Sequence, residues 1–311
     1  MSSVNASDNI TQSAEDYWFK IEKSVLAPIL TTEMVLGVLG NGLVLIVKVA
    51  RKDHFHCLYW LPLFSLTISD FLCSILIICG SLLALLTEGQ ISPWCEVVSL
   101  LKFTFITSSI GSIAVLCIQR FMGIPSKGKK LSVLMAVACV ASWCTGTIFG
   151  AVPVAYRWIR YDPAEMLCAV FWENSYSDML VYILCAFSIC IFAPFLLIVS
   201  CSVLTCVGFG KDCSSQGDLS SITPLLVILY LLCCVPFAAS ELVLLGRPDL
   251  SPSPQWLRSL SSVMTYLDCS LNPFIYCTNK DFRKAVLVLV WNKRRSTFPD
   301  PVLTGVTRLE A

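Results

Sequence analysis

Charge is what this chain has least of. Only 14% of its 311 residues are Asp, Glu, Lys or Arg, and 56% are hydrophobic, whereas a soluble domain carries about 25% charged residues. A mean hydropathy of +0.75 excludes an ordinary soluble globule and fits a protein that crosses a membrane repeatedly. Histidine is nearly absent. His54 and His56 are the only two, and without a Cys-x-x-Cys pair beside them they offer no zinc-ligand spacing. A net charge of +1 with no basic, aromatic-laced groove excludes a nucleic-acid binder. The short signatures of enzymes are missing too: no Gly-rich phosphate loop, His-Glu metal motif or nucleophile elbow occurs. No apolar stretch precedes residue 25, so no cleavable signal peptide is expected and the first span should serve as its own insertion signal.

What the chain has instead is a series of long apolar runs at about 26–50, 58–86, 95–122, 131–156, 179–208, 219–245 and 256–278. Each is long enough to cross a bilayer as a helix. Continuous rather than alternating hydrophobicity excludes barrel strands. The fold class expected is therefore an all-α membrane protein, a seven-transmembrane helix bundle. Orientation follows from the lysines and arginines of short loops. Lys48, Arg51, Lys52, Lys127, Lys129, Lys130, Lys280, Arg283, Lys284, Lys293, Arg294 and Arg295 crowd one side. On the other, Arg157, Arg160, Arg247 and Arg258 are offset by Asp162, Glu165, Glu173 and Asp249. The N-terminus is expected outside and the C-terminus in the cytoplasm. Two N-glycosylation acceptors, Asn5 and Asn9, agree with that orientation.

Four segments follow from these signals: an extracellular glycosylated tail at 1–25, the seven-span domain at 26–278, an amphipathic helix at 279–291, and a cytoplasmic tail at 292–311. In the third, Phe282, Val286 and Leu289 share one helical face, with Lys280, Arg283 and Lys284 beside or opposite them. That pattern suits a helix lying against membrane lipids of the inner leaflet.

Of 17 cysteines most fall inside spans, where cysteine is a small polarisable packing residue. Only Cys95 and Cys168 fall on the expected outer side, where disulfides form. A bond between the top of span three and the loop before span five is inferred; two unrelated free thiols are the alternative.

Polar residues inside the spans stand out more. Asp70 lies mid-span, and Asn41, Ser109, Asp268 and Asn272 are expected at comparable depth. Such a cluster can hold a cation, here a sodium-type ion near Asp70, or act as a hydrogen-bonded switch. Interhelical polar glue, at roughly 0.6 kcal/mol per contact, is the plainer account. Glue suffices for Asn41 and Ser109 but explains two membrane aspartates poorly. Pro153, Pro194, Pro236 and Pro273 each fall inside a span, where proline removes a backbone bond and bends the helix.

Across all seven spans the chain resembles the rhodopsin-like (class A) G-protein-coupled receptors. The resemblance rests on Gly40-Asn41 in span one, the stretch 65–72 around Asp70, and Cys95 with Arg120 at 25 residues' distance. Trp143, Pro194, Cys233-Cys234-Val235-Pro236 and the full Asn272-Pro273-Phe274-Ile275-Tyr276 complete it. Each match is weak alone; their joint order is very specific. The departures matter as much. The family's acid-arginine-tyrosine triplet is Gln119-Arg120-Phe121 here, the span-six tryptophan is Cys234, and the tyrosine low in span five is Ser202.

The resemblance implies a receptor at the plasma membrane that binds an extracellular ligand and signals to a heterotrimeric G protein, with arrestin as a further inner-face partner. It implies a Cys95–Cys168 disulfide and roles in activation and coupling for Gln119, Arg120, Cys234, Pro236, Pro273 and Tyr276. Its ligand pocket would be walled by Lys102, Phe103, Tyr182, Phe237, Glu241 and Tyr266. Lys102 stands where amine receptors carry aspartate, which argues against a biogenic amine and favours a ligand with an anionic group; an internal salt bridge of Lys102 to Glu241 or Asp268 is the alternative. No lysine lies in the outer half of span seven, which excludes a retinal imine there. Two rival functions remain open at this point: a receptor without productive coupling, and a small transporter or channel. The absence of an internal repeat counts against the last.

Overall fold

The computed structural model describes residues 4–50, 60–87, 93–122, 129–163, 166–170, 176–209, 219–245 and 253–297. The side chains of Asn5, Asn9 and Cys95 lie outside the described residues, as does the tail beyond residue 297. Seven helical spans pack together. Span one is α1 (Val4–Ala50), already helical through most of the stretch expected as a tail. Span two comprises α2 (Trp60–Leu72), a π-helical turn (Cys73–Ile78) and α3 (Cys79–Leu86); span three is α4 (Pro93–Phe121) and span four α5 (Lys129–Ala155). A hairpin of β1 (Ile159–Asp162) and β2 (Leu167–Val170) leads to span five, made of α6 (Tyr176–Ala186), a second π-helical turn (Phe187–Phe192) and α7 (Ala193–Cys206). Span six is α8 (Leu219–Leu245), span seven is α9 (Gln255–Tyr276), and α10 (Lys280–Thr297) follows.

Among the described residues, six helices are long and apolar enough to cross a membrane: Lys23–Ala50, Leu61–Leu86, Glu96–Phe121, Ser132–Ala155, Met179–Cys206 and Ile222–Leu244. The seventh, α9, has the length at 22 residues but turns a polar face inward, burying Ser259, Ser261, Ser262, Asp268, Ser270 and Asn272. Against lipid those groups would go unsatisfied. Inside the bundle they meet one another and the backbones of neighbours. The complement is seen at Leu39, Ile148 and Leu232, which expose 68%, 64% and 61% of their surface as lipid-facing residues should. The chain is a multi-pass membrane protein.

Span three is the axis of the bundle. From Thr104 to Cys117 all but one of its side chains are buried or glycine, and it packs against spans two, four, five and six. Small residues set those approaches. A Cβ on Gly146 would meet the Thr104 Cα at 2.9 Å, and one on Gly40 would meet the Pro273 ring at 2.8 Å. Spans two, three and four are also pinned by a polar knot: Trp143 Nε1 donates to Ser65 Oγ at 3.1 Å, and Ser112 Oγ donates to the same oxygen at 2.9 Å.

Two apolar clusters stack along this axis. Toward α10, Val44, Leu66, Ile113, Leu226, Tyr276 and Phe282 pack together. Toward the hairpin, Leu30, Ile77, Val98, Phe105, Met166 and Tyr266 do so. Met166 brings the hairpin into that core, fully buried at a left-handed φ of 57°. The first residues of β1 and the last of β2 are paired, Ile159 opposite Val170.

Both π-helical turns change the phase of their helices. The one in span five ends just before Pro194, whose ring crowds the carbonyl of Cys190 four residues back and offers it no N–H. The one in span two has no proline; Ser74 Oγ instead donates to the Asp70 carbonyl at 2.7 Å just where the widening begins. At the other end, Asn279 Oδ1 accepts the Phe282 N–H at 2.8 Å, an N-cap that starts α10. Phe282 and Ala285 are then buried against the bundle, Val286 and Leu289 partly so, while Lys280, Arg283 and Lys284 face out.

Candidate functional site

Mid-bundle, three spans meet at one carboxylate. Asp70 is fully buried. Its Oδ1 accepts from Ser109 Oγ at 3.2 Å and its Oδ2 from Asn272 Nδ2 at 2.8 Å. Asn41 reaches the same layer by a different route, donating Nδ2 to the carbonyls of Gly37 at 3.0 Å and Cys269 at 2.9 Å. Three oxygens in this layer, Asn41 Oδ1, Asn272 Oδ1 and Asp268 Oδ1, are buried without a hydrogen-bond partner. Leaving such groups unpaired costs about 1–3 kcal/mol each. The layer is therefore an oxygen-rich pocket short of donors.

Two cavities lie between this layer and the hairpin. The outer one, the roomier of the two, is bordered by Lys102, Phe103, Tyr182, Phe237 and Glu241, with Cys168 and Val170 of β2 at its rim. Five of the six residues expected to wall a pocket are thus brought together. Tyr182 is held by its hydroxyl, which donates to the Phe149 carbonyl at 2.9 Å, and by the Trp158 ring edge-on at 5.8 Å. Tyr266 is the exception and lines neither cavity. It is fully buried, with its hydroxyl 3.0 Å from Ser81 Oγ. Thr265, about 100° round the helix, takes the cavity-facing place instead.

The inner cavity is small and is bordered by Ser109, Tyr230, Cys233, Cys234, Asp268 and Cys269 among others. Ile106, Ile191 and Phe237 border both cavities. These three side chains form a neck between an outer and an inner chamber.

A family model for the 7 transmembrane receptor (rhodopsin family) matches residues 40–276. The chain belongs to that family. Its similarities are distant ones. Human visual pigment-like receptor peropsin is 22% identical over 224 residues, 66% of each chain. Parapinopsin of Ictalurus punctatus is 24% identical over 298 residues, 86% of this chain and 82% of that one. Melatonin receptor type 1C of Xenopus laevis is 27% identical over 292 residues, 88% and 69% of the two chains. The crystal structure of squid rhodopsin superposes with a TM-score of 0.69 at 19% identity, covering 90% of this chain and 89% of that one, which shows a shared fold. Rhodopsin-family proteins are receptors, not enzymes.

The remaining motif residues of this rhodopsin-family chain take unusual surroundings. Gln119 is fully buried, and neither its Oε1 nor its Nε2 has a hydrogen-bond partner. Arg120 beside it is only partly buried. Cys234 donates its thiol to Tyr230 Oη at 3.7 Å and leaves the inner cavity open where a larger ring would fill it. Pro236 is half-buried two residues further on, Pro273 is buried against Gly40, and Tyr276 is buried with its hydroxyl unpaired.

Sequence reasoning passed over three features. Glu33, in the middle of span one, is buried with Oε2 unpaired; a carboxylate in an apolar run was signal enough to find it. Arg258, at the start of α9, pairs with Asp162 of β1 and donates Nε to the Ser253 carbonyl at 3.1 Å, so the hairpin is clamped to span seven. Burial and the nearby Asp162 carboxylate push the neighbouring Tyr161 phenol above its ordinary range. The third is the Asn279 cap. No pattern in the sequence distinguishes the Arg258–Asp162 pair from other loop charges.

Proposed function

We propose that the chain is a cell-surface receptor with its N-terminus outside, which binds an extracellular ligand in the outer cavity and signals to a heterotrimeric G protein at the α10 end. The observation that carries this reading is the outer cavity itself. It opens beneath a hairpin held by Met166 and by the Arg258–Asp162 pair, and it leads through the Phe237 neck to a polar layer that joins spans two, three and seven. A ligand pressing on Phe237 would act on span six and on that layer together. The apolar walls with a few polar groups are those of a small-molecule pocket.

Lys102 in the cavity wall favours a ligand with an anionic group, such as a lipid-like acid or a peptide C-terminus, its apolar body against Phe103 and Phe237. Because α9 carries no lysine, an imine with an aldehyde ligand is not open to that helix. The Cys95–Cys168 pairing belongs to the same proposal. Cys168 is disulfide-bonded, and thirteen other cysteines are free thiols. A sodium-type ion also fits it: Asp70, Ser109 and the unpaired Asn272 Oδ1 offer the oxygen donors a hard cation takes. Arrestin and inner-leaflet lipids are the further partners, the latter against the basic face of α10.

Ligand screening with nucleotide exchange on purified G proteins tests the reading. Stimulation that is lost in Lys102→Ala at unchanged surface expression supports it. The unpartnered Gln119 favours one second reading, a receptor that binds ligand without productive coupling. Saturable ligand binding with no exchange on any G-protein class would decide for that.

A further inference from the structure

The outer cavity carries charge at one level, and that charge is of both signs. Among the described residues that border it, Lys102 of span three and Glu241 of span six are the charged ones. Their register puts them at the same depth. Ile106 and Phe237 both belong to the neck between the two chambers. Span three runs inward from the hairpin, with Val98 in the outer apolar cluster and Ile113 in the inner one; span six runs outward from Leu226 in the inner cluster. Lys102 lies four residues outward of Ile106, and Glu241 four residues outward of Phe237. Each is therefore about 6 Å above the neck residue of its own helix, and the two border one cavity from different spans.

What surrounds this level is neutral. Phe103 and Phe187 line the walls beside the two charges, and Ile106, Ile191 and Phe237 lie beneath them. The Tyr182 hydroxyl is already engaged by the Phe149 carbonyl. Above are Cys168 and Val170 of β2, on a hairpin held by the buried Met166 and by the Arg258–Asp162 pair. A ligand bearing only an anion would set it at Lys102 with Glu241 at the same depth, and like charges so placed oppose binding. A ligand bearing only a cation meets the same conflict with Lys102. A molecule with both charges at one end satisfies both residues and leaves its apolar body for the neck. Contact between Lys102 and Glu241 themselves is compatible with this, because a zwitterion exchanges one ion pair for two. A peptide terminus carries a single charge, and its chain would have to continue through the hairpin or the neck.

We propose that the outer cavity recognises a small zwitterion of the α-amino-acid type, with its carboxylate at Lys102, its ammonium group at Glu241 and an apolar side chain directed between Phe103 and Phe237. This rests on the outer cavity being the ligand site and adds the ligand's second charge. Glu241 becomes the residue that separates a zwitterion from a plain acid.

Matched probes test this without knowledge of the natural ligand. Purified full-length protein is titrated with three series: phenylalanine with 3-phenylpropionate and phenethylamine, tryptophan with indole-3-propionate and tryptamine, and 2-aminooctanoate with octanoate and heptylamine. Within each series the apolar body is shared and only the charges differ; affinity is read from the shift in thermal midpoint. At least one zwitterion should bind about tenfold more tightly than both of its singly charged counterparts, the loss expected for one charge-assisted hydrogen bond. Glu241→Gln should bring that zwitterion and its matched acid to similar affinity. The exchanged pair Lys102→Glu/Glu241→Lys should restore the preference, which a merely structural role for Glu241 would not do. If neither variant folds, the three series on the native protein decide. A matched acid or amine that binds as tightly as its zwitterion in every series overturns the proposal while leaving the cavity a ligand site. A zwitterion preference that survives Glu241→Gln overturns it too. So does the absence of binding by every probe, and nucleotide exchange with other ligands then still tests the receptor reading on its own.

Discussion

Asn272 of span seven donates its Nδ2–H to Asp70 Oδ2 of span two at 2.8 Å, with both residues fully buried. The bond ties the most polar span to the middle of the bundle. It also faces Asn272 Oδ1 into a space where nothing answers it. Stability and function are coupled at this point: the residue that holds span seven in place also leaves an acceptor for an ion or water.

Replacing Asn272 with Ala should therefore destabilise the folded receptor by about 1–3 kcal/mol, the range for stranding a buried acceptor. Ser109→Ala should cost less, since its bond to Asp70 is longer at 3.2 Å. Thermal unfolding of the purified variants ranks them. A larger loss for Ser109→Ala than for Asn272→Ala would show that the span-two to span-seven tie is not the stronger one.

The hairpin clamp gives a second expectation. Arg258→Ala should lower stability by about 2 kcal/mol, between the values for exposed and buried ion pairs, because Asp162 stays buried with 9% of its side chain exposed. Asp162→Asn/Arg258→Gln should recover part of that loss. If the double variant is no better than Arg258→Ala alone, burial of an unpaired carboxylate is not the cost.

Peptide mapping without reduction should find Cys168 joined to Cys95, and Cys168→Ser should sharply reduce protein at the cell surface. Recovery of Cys95 as a free thiol from mature protein would rule out the pairing.

Gln119 permits a pair of opposed substitutions. Gln119→Met removes two unsatisfied polar atoms from a buried site and should stabilise by about 1–2 kcal/mol. Gln119→Asp supplies a carboxylate beside Arg120 and should reduce ligand-independent signalling. Unchanged basal signalling in Gln119→Asp, where that signalling is measurable, would separate the missing acid from the receptor's basal state.

How far the sequence could be read depended on which physical signal a residue carried. Span positions were legible because a bilayer demands about 20 apolar residues in a row, and even the polar α9 betrayed itself through Asp268 and the Asn-Pro-x-x-Tyr run. Lys102, Phe103, Tyr182, Phe237 and Glu241, which the family resemblance implies as pocket walls, do border the outer cavity. Tyr266 went wrong because depth does not give rotation: one residue's change of phase moved it from the cavity to Ser81. The π-helical turns shift phase in the same way. Only the one before Pro194 had a local cause that could be seen. Pairs such as Arg258 with Asp162 depend on where two loops come to rest, and no periodicity encodes that.

The central claim is that a ligand in the outer cavity drives coupling at the opposite end. Its most direct measurement is ligand-stimulated nucleotide exchange on a heterotrimeric G protein, by the purified receptor and by Lys102→Ala, each checked for folding by thermal midpoint. The account predicts stimulation by a ligand bearing an anionic group and at least a tenfold weaker response in Lys102→Ala, about 1.4 kcal/mol, at an unchanged midpoint. It is contradicted if Lys102→Ala responds as the native receptor does, or if it unfolds and Lys102→Ala/Glu241→Ala restores the fold.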